Sequence, residues 1–196
     1  MQFHSEVLSD KLEELSKEKK IVFGASCCER LLPNYKKFVE VEKWGDFESL
    51  RSALNEIWKH VVESKMPQQK ISGLIDKCDK ITPDAEDFSS IYTSFAIDAG
   101  GAIYELLQYC LDGKTEYLVD IARFARDTVD MYIQERDDMD YNLPDFEEQI
   151  VNDELMQKEL KKQFDDLEVL KNQKIFDESF IHTFRSSIEG KSNIEL

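Results

Sequence analysis

Apolar residues recur three and four positions apart along almost the whole chain, the period of amphipathic α-helices. Val7, Leu8, Leu12 and Leu15 form a first stripe, with Ser5 placed to cap it. Ile21, Val22, Ala25 and Cys28 form a second over residues 19–32. Pro33 has no N–H and crowds the preceding turn, so the pattern predicts a break there and a new helix over residues 34–42. Trp44-Gly45-Asp46 reads as a turn. Asp46 then caps a helix whose stripe is Leu50, Leu54, Ile57, Trp58 and Val61. Pro67 opens a helix through Ile71, Leu74, Ile75 and Cys78, and Thr82-Pro83 reads as an N-cap followed by a first-turn proline.

Residues 88–111 differ from the rest, because they are apolar on nearly every side: Ile91, Phe95, Ala96, Ile97, Ala99, Ala102, Ile103, Leu106 and Leu107. A helix of this kind belongs in the middle of a fold. Gly100 and Gly101 each cost about 1 kcal/mol against alanine inside it, which close approach of a neighbour would offset. Thr115 caps the next helix, with Leu118, Ile121, Ala122, Ala125, Val129 and Tyr132 on one face. Pro144 opens another, which continues or restarts through Leu160, Phe164, Leu167 and Leu170. Phe176, Phe180, Ile181, Phe184 and Ile188 mark the last, and Gly190 suits its stop. The expected fold is all-α: a single domain over residues 1–196, a bundle of about eight or nine helices around a central apolar helix.

Charge changes the picture more than composition does. With 25 Lys and Arg against 41 Asp and Glu, the chain carries a formal net charge of −16. Such a field repels nucleic acid and anionic lipid and attracts basic partners. The excess is uneven: residues 1–98 carry 14 bases and 18 acids, while residues 99–196 carry 11 and 23. From Asp127 to Glu154 there are 11 acids and one base, Arg136. Asp145, Glu147 and Glu148 fall in the first turn of a helix, where its dipole favours negative charge. Asp137, Asp138 and Asp140 follow a helix C-terminus, where it does not, so no local stabilising reason is expected for them. These six are the expected partner-binding residues.

Enzyme chemistry finds little purchase. The sequence has no P-loop, no GxGxxG and no GxSxG. The adjacent pair Cys27 and Cys28, with Cys78 and Cys110, makes neither a CxxC motif nor a secreted disulfide framework; buried reduced thiols are expected. Glu56 and His60 lie four apart and read as a surface pair. The acidic run lacks the glycine and ligand spacing of an EF-hand, and no Glu-x-x-His pair of a di-iron bundle occurs. No cofactor and no metal are expected. Residues 1–20 are polar, and no segment approaches the roughly 18–20 apolar residues of a membrane span, so a cytoplasmic protein is expected. Glu29, Arg30 and Asp98 are the expected buried polar residues. Asp98, between Ile97 and Ala99, needs a partner there, and Arg30 is the expected one.

Three segments carry a resemblance. Cys28-Glu29-Arg30-Leu31-Leu32-Pro33-Asn34-Tyr35 resembles the C-E-R-x-x-P-N-Y segment of the YjaG-like family of uncharacterised bacterial proteins. Ala96-Ile97-Asp98-Ala99, with Glu105-Leu106, is similar to that family's A-I-D-A segment, and Gly190 to Ile194 to its G-x-S-N-I ending. The resemblance implies an all-α fold over nearly the whole chain and transfers no catalytic residue. It also implies a role that some members have, as immunity proteins encoded beside toxins. The Gly100-Gly101 pair and the acidic 135–148 stretch depart from the family pattern. The expected function is a non-enzymatic immunity protein that masks a basic toxin, a nuclease above all, by acidic-surface docking. The alternative is a housekeeping or signalling adaptor acting as a homodimer.

Overall fold

The structure is a computed structural model that describes residues 2–63 and 66–196. Among them are nine helices: α1 (Ser5–Glu13), α2 (Lys17–Glu42), α3 (Phe47–Glu63), α4 (Gln68–Ile81), α5 (Tyr92–Asp112), α6 (Glu116–Arg136), α7 (Phe146–Asn152), α8 (Glu154–Asn172) and α9 (Glu178–Ser186). No strand occurs among the described residues, and no helix is long and apolar enough to cross a membrane.

The centre is shared by α2 and α5, which pack along each other. From Lys20 to Leu32 every residue of α2 is buried, so this helix is enclosed by α3, α5, α6 and α8 rather than resting on one neighbour. Burying a Leu- or Phe-sized side chain is worth about 1.5–3 kcal/mol. The main core, which includes Val22, Phe23, Leu31, Ile103 and Leu106, is the chief source of stability. A smaller cluster of Phe95, Val129, Ile133, Ile150, Met156, Leu160 and Ile194 joins α5, α6, α7, α8 and the C-terminal tail.

The predicted break at Pro33 does not occur, since α2 runs through it as one 26-residue helix. Its proline disturbs the hydrogen bonding one turn back. The carbonyl that loses its donor is that of Glu29, and the next one, of Arg30, accepts from the tail's Asn193 N–H at 3.2 Å. Packing on all sides holds a helix that local propensity would interrupt.

Several caps also differ from expectation. Ser5 lies inside α1, after His4. Thr82 closes α4 rather than opening a helix, and its hydroxyl donates to the Cys78 carbonyl at 2.8 Å. Thr115 precedes α6 but turns its hydroxyl to Glu13, and also accepts from Lys20 at 3.2 Å. Asp46 does cap α3, accepting from the Ser49 N–H at 3.0 Å. The two glycines of α5 have the close neighbours their cost requires. A Cβ on Gly100 would overlap the Thr82 hydroxyl, and one on Gly101 would stand 3.2 Å from the Phe124 ring of α6.

Candidate functional site

The C-terminal half places its excess acid on the segment between α6 and α7. Asp138 there adopts φ +47°, a left-handed conformation that aspartate tolerates better than most residues. Met139 and Phe146 anchor the segment on the smaller apolar cluster. All six acids, Asp137, Asp138, Asp140, Asp145, Glu147 and Glu148, are exposed. Among them stand two exposed apolar side chains, Tyr141 at 78% and Leu143 at 47%.

Two of the six have local work that the sequence reading did not expect. Arg136 donates to both oxygens of Asp137, at 2.8 and 2.6 Å, and also to Asp153 at 2.7 Å. The guanidinium holds the Asp137 carboxyl below its ordinary pKa. Asp140 accepts from the backbone and side chain of Asn142, at 2.9 and 2.8 Å, a turn that lowers its pKa as well. The missing dipole support after α6 is replaced by an arginine and an Asx turn.

The buried polar cluster lies elsewhere and is larger than expected. Glu29 and Arg30 are neighbours on α2 but face different helices. Glu29 turns to α3, where it accepts from Arg51 at 2.8 and 2.9 Å and from the Trp58 indole at 2.9 Å. Arg185 of α9 adds an ion pair at 3.1 Å without an aligned hydrogen bond. Arg30 turns to α8 and grips Glu159 through two donors, at 3.1 and 2.7 Å. It also donates to Asp166 at 3.3 Å and to the Ser26 hydroxyl at 2.8 Å. Burial works against the guanidinium charge, but Glu159 and Asp166 outweigh it and the Arg30 pKa lies above its ordinary value. Gln163 closes the network, donating to Glu159 at 2.9 Å and to the Ala122 carbonyl at 3.1 Å.

Asp98 does not join it. The expected Arg30–Asp98 pair is absent because Arg30 faces α8, while Asp98 looks across to α6. There the Thr128 hydroxyl donates to it at 2.7 Å. Asp98 is half-buried rather than buried. Burial pushes its carboxyl up to about 7, helped by nearby Asp127 and opposed by the Thr128 bond. The sequence reading also missed Glu159, Gln163 and Asp166. Their signal was legible: spaced by four and three, they fall on the same face of α8 as Met156, Leu160, Leu167 and Leu170, the apolar stripe.

The remaining reactive groups are held quiet. All four cysteines are free and buried, and burial pushes Cys27, Cys78 and Cys110 up to about 12. A protonated thiol is a poor nucleophile. Glu56 does not meet His60 but pairs with Lys70 of α4. Desolvation and Lys17 lower the His60 pKa. No group of three or more His, Cys, Asp or Glu among the described residues is arranged to hold a metal.

Comparison with known proteins is consistent along the chain. A family model described as "Protein of unknown function (DUF416)" matches residues 7–196. An uncharacterized protein of Haemophilus influenzae is 27% identical over 190 residues, covering 95% of this chain and 94% of that one. The uncharacterized protein YjaG of Escherichia coli is 32% identical over 122 residues, 62% of each chain. The crystal structure of a DUF416 family protein from Shewanella baltica superposes with a TM-score of 0.86 at 28% identity, covering 96% of this chain and 97% of that one.

Proposed function

The chain belongs to the DUF416 family, whose description assigns no activity, and from that premise we propose that it is a non-enzymatic binding protein which docks a cationic protein on the α6–α7 segment. One observation carries this reading. A large aromatic side chain, Tyr141, stands 78% exposed in the middle of six exposed carboxylates. Interfaces draw most of their affinity from a few aromatic or arginine anchors, while surrounding charge sets encounter rate and partner choice. Tyr141 and Leu143 supply the apolar contact, and the carboxylates supply a field that steers a basic surface toward it.

The specific form of this proposal is an immunity protein whose partner is a basic toxin. A nuclease fits the chemistry best. Its substrate site must be cationic to hold a polyphosphate backbone, so an acidic protein shields it by complementary potential. Fast association matters for an antidote, and electrostatic steering raises it.

The test is co-expression with the product of the adjacent gene, then association kinetics at low and high salt. Wild type should associate quickly, with a rate that falls steeply as salt rises. The variant D137N/D138N/D140N/D145N/E147Q/E148Q should associate more slowly, with a flattened salt dependence. Tyr141→Ala should act mainly on dissociation. Equal affinity and equal salt slope in wild type and the six-site variant would defeat the docking claim. Failure of the adjacent product to bind wild type would defeat the toxin claim.

A further inference from the structure

A second charged surface has the opposite sign. Between α8 and the tail that follows α9 lies a cleft of about 330 Å³, and no residue of the α6–α7 segment lines it. Four lysines border it, Lys158, Lys161, Lys162 and Lys191, in a chain whose net charge is −16. Arg30 forms its floor. That guanidinium is saturated, because Ser26, Cys27, Glu159 and Asp166 take its N–H groups. Arg30 is therefore a rigid base, and the lysines are the groups left to meet a ligand.

The spacing of those lysines is the informative part. Lys158, Lys161 and Lys162 share one face of α8, three and four residues apart, where like charges repel. Lys161 is relieved by Asp165 and Lys162 by Asp166, each four residues on. The residue four on from Lys158 is Lys162, and no ion pair among the described residues involves Lys158. On the tail, Lys191 donates to the Ser187 carbonyl at 2.7 Å and pairs with no carboxylate among the described residues. The two carboxylates that line the cleft, Glu159 and Asp165, are taken by Arg30 and Lys161, which leaves Lys158 on one wall and Lys191 on the other as its lysines without an ion pair among the described residues.

The tail wall is fixed in advance. Gly190, at φ +74°, turns the chain after α9. Asn193 is tied to the Arg30 carbonyl at 3.2 Å and to the Ala125 carbonyl at 2.9 Å, and the Ser192 hydroxyl donates to Asn34 at 2.6 Å. Ile188 gives the cleft an apolar side. A site held open by its own hydrogen bonds loses little ordering entropy when a ligand enters. Lysine recognises phosphate as a point charge, and a dianion can answer two ammonium groups at once. The volume lies at the lower end of small-molecule sites. We propose that this cleft binds the phosphate group of a small molecule, bridged between Lys158 on α8 and Lys191 on the tail.

Isothermal titration of the full chain tests this with inorganic phosphate, with adenosine monophosphate, and with adenosine as the uncharged control. Wild type should bind both phosphate-bearing probes and not adenosine. Equal affinity for the two assigns the site to free phosphate, and tighter binding of the nucleotide assigns it to a phosphorylated metabolite. Lys158→Gln with Lys191→Gln should weaken binding by about tenfold or more. Both side chains are exposed, so circular dichroism should report an unchanged fold. Lys174→Gln, at another exposed position, should bind as wild type does. Absence of binding to either phosphate probe, or unchanged affinity in the double variant, overturns the proposal.

Discussion

Arg30 and Arg136 each grip two carboxylates, and the two places teach opposite lessons. Arg30 is 5% exposed, and its partners Glu159 and Asp166 are buried on α8. Every charge there has been taken out of water, and each has been given hydrogen bonds in return. Arg136 stands at the end of α6, paired with Asp137 and Asp153 but still open to solvent. A buried network of this kind fixes geometry and punishes removal of any member. An exposed pair contributes little to stability, because water and salt screen it. Asp137 beside Arg136 thus stays open to solvent, whereas the acids around Arg30 are committed to joining α2 to α8.

That contrast can be broken most sharply at Arg30. Arg30→Ala leaves Glu159 buried without a cation and Asp166 with Lys162 alone, and should cost about 3–5 kcal/mol. Chemical denaturation should show it as a lower midpoint with an unchanged slope. A loss below about 1 kcal/mol would mean that water satisfies the two acids and that the network is not closed.

Asp98 comes next, as a half-buried acid that has a hydroxyl but, among the described residues, no cation as partner. Its carboxyl is raised by burial from an ordinary 3.8 to about 7. Between those values the folded chain binds more protons than the unfolded one. This group's contribution to stability therefore falls as pH rises from about 4 to about 7, and is fully lost above that. Asp98→Asn removes the charge and keeps an acceptor for Thr128. It should stabilise the protein at pH 8 by about 1–2 kcal/mol and change little near pH 4, read from melting curves at both values. Equal effects at the two pH values would show that the carboxyl titrates normally.

The smallest effect belongs to Arg136. Arg136→Ala should leave stability within about 1 kcal/mol of wild type, and high salt should shrink the difference further. A loss as large as that of Arg30→Ala would make the α6–α7 segment a structural element and weaken its claim as a docking surface.

Much of this was legible along the chain. The repeat of apolar positions at three and four gave α3, α4, α6 and α9 to within a few residues, since each buries one stripe, gave α5 as a helix apolar on nearly every side, and left the division between α7 and α8 open. The lopsided charge located the acidic segment, because charge is additive along a sequence and needs no fold to be counted. The roles of Asp137 and Asp140 were not visible, since they depend on where Arg136 and Asn142 turn.

Periodicity states which face of a helix is buried, but not which helix will lie against it. For that reason the sequence determined the all-helical class, the buried thiols and the location of the acids, while the assignment of Arg30 to Glu159 and Asp166, and of Asp98 to Thr128, came only from packing. The same is true of Pro33, where local propensity called for a break and enclosure by neighbouring helices kept α2 whole. It holds also for the basic cleft, because Lys158 and Lys191 lie far apart in sequence and line one cleft only once the tail is tied to α2 and α6. Local physics acts through neighbours a turn away, whereas buried charges choose partners across the fold, where only three-dimensional proximity decides.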